Sequence, residues 1–90
     1  SNTTLVNAQD LKINIFPQPA TSRVSLELSD LNSVFGKELF VYNILGEKLY
    51  STEIDEDKVI NINVETWTTG FYYVIIMMEN KNLTYKFAVE

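Results

Sequence analysis

The stretch NIFPQPATSRVSLEL, residues 14–28, sets two prolines one residue apart, Pro17 and Pro19, between two segments of alternating apolar and polar residues. Proline has a fixed φ and no N–H to give to a ladder, so it belongs at strand ends and between strands. Pro17 and Pro19 therefore close a strand over Leu11 to Phe16, and a second strand begins near Arg23. In the first, Leu11, Ile13 and Ile15 alternate with Lys12 and Asn14; in the second, Val24, Leu26 and Leu28 alternate with Ser25 and Glu27. A period of two places each apolar set on one face, as in half-buried strands.

The same period continues outward, and no segment carries a helical one. ELFVYNI (38–44) is apolar on both faces, at Leu39/Val41 and at Phe40/Tyr42, which predicts a central strand. NILG (43–46) reads as a tight hairpin turn with Gly46 at positive φ, and EKLYSTEI (47–54) returns as its partner. DEDK (55–58) is a charged turn before VININV (59–64), and ETWTTG (65–70) connects that strand to FYYVIIMM (71–78). After the polar turn ENKN (79–82), LTYKFAVE (83–90) places Leu83, Tyr85, Phe87 and Val89 on one face. Short strands at this spacing predict an all-β chain: a single seven-stranded antiparallel immunoglobulin-like β-sandwich, without the Cys…Trp…Cys signature of true immunoglobulin domains. Leu26, Val41, Ile60, Ile62, Val74 and Ile76 are the expected core. Residues 1–10 read as a linker or a remnant of tag removal, with Ser1-Asn2 as its scar, and 11–90 as the domain. The chain is expected to be a piece of a longer protein.

Composition removes several kinds of chemistry. The 90 residues carry seven basic against twelve acidic side chains, a net charge of −5. Nucleic-acid binding needs clustered Lys and Arg, and here they are few and scattered. With no cysteine and no histidine, the chain has no disulfide, no thiol nucleophile, no imidazole base and no thiolate or imidazole metal ligand. The longest apolar run, 71–78, is too short to cross a bilayer as a helix. No cofactor is expected.

Two clusters remain as candidate sites. Asp55, Glu56 and Asp57 could supply a carboxylate pair, yet adjacent turn residues point apart, whereas glycosidases hold two carboxylates across a cleft. As a Ca²⁺ loop the run lacks the alternating oxygen ligands of an EF-hand. It reads as a solvated turn. Trp67, Phe71, Tyr72, Tyr73, Phe40 and Tyr42 could form a sugar-stacking platform, or they could fill a sandwich core that has no disulfide to help hold it. Strand alternation lets only one member of each neighbouring pair face inward, so one or two aromatics are expected outside.

Three patterns in order give the double proline a context: an apolar strand running into Pro-x-Pro-Ala (INIFPQPATSRVSLEL), an apolar pair with a turn and glycine (LFVYNILGEKL), and a strand, a short connection and Gly-x-Tyr (ININVETWTTGFYYVII). A last strand with a lysine near its end follows (YKFAVE). Over about residues 11–90 this set resembles the C-terminal sorting domain, type A, of the type IX (Por) secretion system of Gram-negative bacteria. The chain has Gln18 where the family usually has asparagine, Trp67 where it usually has leucine, and Glu90 where it often ends on a basic residue.

The resemblance implies a non-enzymatic address label for an upstream cargo domain in the same chain. Its partners would be an outer-membrane translocon and a sortase-like surface protease that removes the label and anchors the cargo. The route would run through the periplasm to the cell surface or the medium. Carried over residue by residue, Pro17, Pro19, Gly46, Gly70 and Tyr72 would determine the fold, and Lys86 would be the candidate contact with the export machinery. The alternatives are an immunoglobulin-like spacer or a carbohydrate-binding module of a secreted multidomain enzyme.

Overall fold

The computed structural model describes residues 11–90; the linker or tag remnant expected over 1–10 lies outside them. Seven strands form: β1 (Ile13–Phe16), β2 (Arg23–Leu28), β3 (Glu38–Asn43), β4 (Lys48–Glu53), β5 (Val59–Asn63), β6 (Gly70–Met77) and β7 (Asn82–Val89). All pair antiparallel, in a three-stranded sheet β1-β2-β5 and a four-stranded sheet β4-β3-β6-β7.

The period-two pattern decides which side chains lie between the sheets. Val24, Leu26 and Leu28 from β2, Ile62 from β5, Leu39 and Val41 from β3, and Tyr72, Val74 and Ile76 from β6 are all buried in one cluster, with Leu83, Phe87 and Val89 from β7. Ile60 differs from expectation: it is half-buried and packs against this cluster from its margin. The cause is position, because β5 is a sheet edge and Ile60 stands two residues from the exposed 55–58 turn. Leu11 also differs, being buried but outside β1; its carbonyl accepts the Tyr85 hydroxyl instead of joining a ladder.

One element had no sequence signal. A single helical turn, α1 (Leu31–Val34), joins β2 to β3 and is pinned by the fully buried Val34. Four residues are too few for a 3.6-residue period to show. Gly36, at φ +82°, follows it and hands its N–H to the carbonyl of Ile54 at 2.8 Å.

The two outer faces are unlike. On the three-stranded sheet Ser25 donates to Asn61 Oδ1 at 2.6 Å, beside Asn14 and Glu27, and the surface is largely polar. On the four-stranded sheet Phe40, Tyr42, Phe71 and Tyr73 all point outward, opposite the buried Leu39, Val41, Tyr72 and Val74. Both faces of β3 are apolar as expected, yet only one is covered.

Candidate functional site

The strand connections sort into two ends. At one end lie Leu11, where the described chain begins, the 29–37 segment containing α1, the 54–58 turn and the 78–81 turn. At the other lie the double-proline corner, the 43–47 hairpin, the 64–69 connection and the last residues of β7. The second end holds nearly every motif residue singled out in the sequence.

Pro17 and Pro19 both follow cis peptide bonds, and both are exposed. Beyond them Ala20, fully buried, leaves its own sheet to bridge the other. Its N–H donates to the Ala88 carbonyl at 2.9 Å, and its carbonyl accepts the Glu90 N–H at 2.8 Å, a parallel bridge to Val89. The corner thus ties the end of the last strand to the start of the fold.

The hairpin is held by one side chain. Asn43 Oδ1 accepts the N–H groups of Leu45 (2.9 Å) and Glu47 (3.0 Å), and Asn43 Nδ2 donates to Glu47 Oε1 at 2.7 Å. Gly46, at φ +83°, closes the turn by donating to the Asn43 carbonyl at 3.0 Å. An L side chain is disfavoured at such a φ, which is why glycine fits there. The turn lifts Ile44 and Leu45 into solvent, 72% and 78% exposed. The sequence placed these two inside the NILG turn and gave them no further role.

Gly70 opens β6 at φ +154°, outside the comfortable range of an L residue, with nothing within 4 Å of where a Cβ would stand. It pairs with Val89. Tyr72 is buried, with its ring between Trp67 (centroids 4.9 Å apart) and Phe87 (5.8 Å). Its hydroxyl donates to the Thr68 carbonyl at 2.5 Å, fixing the 64–69 connection to the core. A groove of about 220 Å³ runs between this connection and the hairpin, lined by Asn43, Ile44, Leu45, Thr68, Gly70 and Phe71.

This end is closed by the last strand and carries the motif residues of three separate segments. A family profile described as the secretion system C-terminal sorting domain matches residues 14–90. The chain belongs to that family. It is a C-terminal sorting domain of the type IX, or Por, secretion system. No curated protein matches the sequence.

Lys86 of the sorting domain is exposed on β7, opposite Tyr73, and its ammonium sits 4.7 Å from the centre of the Phe71 ring, beside the groove. Trp67 is half-buried on Tyr72 and does not stand with the outward aromatics. Asp55 accepts the Asp57 N–H at 2.9 Å, an ordinary turn contact at the opposite end from the groove. Among the described residues no group of three or more acidic side chains is placed to hold a metal ion. No helix among them is long and apolar enough to cross a membrane.

Proposed function

We propose that the sorting domain is a non-enzymatic label, carried behind an upstream cargo domain, whose groove-bearing end is what the export machinery reads. The observation that carries this is the separation of the two ends. The described chain enters at Leu11, while the double-proline corner, Gly46, Gly70, Tyr72 and the end of β7 gather at the other end with Lys86 beside them. A cargo joined through residues 1–10 as a linker leaves that end free to meet a receptor.

In this reading residues 11–90 act as one unit. A three-stranded sheet facing a four-stranded one, with consecutive segments crossing between them, supports the immunoglobulin-like sandwich. Pro17, Pro19, Gly46, Gly70 and Tyr72 build the end, and Lys86 makes contact. The partners are an outer-membrane translocon and a sortase-like surface protease. The cargo passes through the periplasm to the cell surface or medium, where the label is cleaved and the cargo anchored. A sugar-binding role is less well supported, because the outward Phe40 and Tyr42 rings meet at 72° and do not make a flat platform.

The test is a reporter with an inner-membrane signal peptide and this domain at its C-terminus, in a host with the type IX system. The reporter reaches the surface or medium with the domain and stays in the periplasm without it. Periplasmic retention in both cases would contradict the reading.

A further inference from the structure

The outer face of the four-stranded sheet is apolar in the middle, with acidic residues to one side and basic residues to the other, and Phe71 with Ala88 beyond the basic ones. The strand registers arrange it in rows. Phe40 on β3 stands opposite Ser51 on β4 and Ile75 on β6, and Ile75 opposite Thr84 on β7. Two residues along β3 in one direction, Glu38 faces Glu53. Two residues in the other direction, Tyr42 faces Lys48 and Tyr73, and Tyr73 faces Lys86. A bulge at Leu49 is what brings Lys48 opposite Tyr42, and the Lys48 ammonium lies 4.5 Å from the centre of the Phe40 ring.

Along β3, the acidic pair Glu38 and Glu53 and the row carrying Lys48 and Lys86 therefore lie equally far from a central row. In that central row Phe40 and Ile75 are flanked by Ser51 and Thr84. Such a face is complementary to itself. Rotate a second copy by 180° about an axis running along the central row, in the plane between the outer faces of the two copies. Phe40 and Ile75 then meet their own equivalents, and Lys48 of each copy lies over Glu53 of the other. Rotation about an axis along the strands would instead put lysine on lysine.

We propose that the outer face of β4-β3-β6-β7 is an interface for a second copy of this chain, packed sheet on sheet with Lys48 paired to Glu53 in both directions. The charge pattern selects a copy of the chain over a uniformly charged partner, since a single-sign surface would meet repulsion at one row. An isologous contact of this kind closes as a dimer and leaves no open end to polymerise. A four-stranded face is at the small end of stable interfaces, so the dimer is weak. The face adjoins the groove at Phe71, and Lys86 belongs to its basic row, but this inference does not depend on the export reading.

The test uses charge exchange on the 90-residue chain, followed by sedimentation velocity up to about millimolar concentration. Lys48→Glu gives one variant an acidic pair, and Glu53→Lys gives another a basic pair. Each alone should associate at least about tenfold more weakly than the parent, because like charges are brought together. Mixed one to one, they should associate about as well as the parent, since both contacts are restored. A second readout uses the absence of native cysteine. Ser51→Cys lies on the rotation axis and should be joined to its equivalent by a short bis-maleimide, whereas Glu56→Cys in the 55–58 turn should not. A parent chain that is monomeric throughout would overturn the proposal. So would a dimer indifferent to both reversals, which would point to pairing through an open strand edge.

Discussion

Gly70 shows how one backbone angle can matter without any crowding. Its φ of +154° disfavours a β-carbon, yet nothing stands within 4 Å of where that carbon would go. The cost of a side chain there is backbone strain alone, which is why a branched residue is the sharp probe. Gly70→Val is expected to lower stability by about 1–3 kcal/mol, read as a reduced midpoint in chemical denaturation with an unchanged slope. An unchanged midpoint would make the glycine incidental. Tyr72 is held by packing and by a hydroxyl bond together. Tyr72→Phe keeps the stack on Trp67 and Phe87 but leaves the Thr68 carbonyl without that donor. A loss of about 1 kcal/mol is expected, with hydrogen exchange faster across the 64–69 connection than in β3.

At the scale of elements, the strand pattern in the sequence carried most of the fold because period two reports burial directly. β1, β2, β5 and β7 were legible from their own alternation, β3 and β6 from apolar runs, and β4 as the return of the hairpin after β3. What alternation could not give was the coverage of a face by neighbours. Ile60 and Ile62 share one side of β5, but Ile60 lies toward the charged turn at a sheet edge and is only half-buried. Ile62→Ala should cost about 2–5 kcal/mol, and Ile60→Ala roughly 1 kcal/mol; equal losses in denaturation would contradict the edge assignment. The same limit applies to aromatics. An apolar β3 face signalled a central strand, and β3 is central, but its outer side faces solvent, leaving four aromatics outside where one or two were expected. At the candidate site, Pro17 and Gly46 were visible as residues with restricted or unusual backbone needs, and Gly70 through the Gly-x-Tyr pattern of the resemblance. Their convergence at one end was not, because it depends on Ala20 crossing to Val89, a contact between residues far apart in the chain.

For the whole molecule, the organising feature is polarity between the entry at Leu11 and the end closed by the last strand. Lys86 and Lys12 are both exposed single lysines, one beside the groove and the other next to the entry. Exposed substitutions of this kind change stability by less than about 0.5 kcal/mol, so either can be reversed without unfolding the domain. The most direct measurement is the surface-to-periplasm ratio of an exported reporter bearing the parent domain, Lys86→Glu or Lys12→Glu, with thermal melting of each domain in parallel. At equal melting temperatures, Lys86→Glu should leave several-fold more reporter in the periplasm while Lys12→Glu exports like the parent. Equal export by all three, or a defect confined to Lys12→Glu, would contradict the claim that the end built by the motif residues is the end that is read.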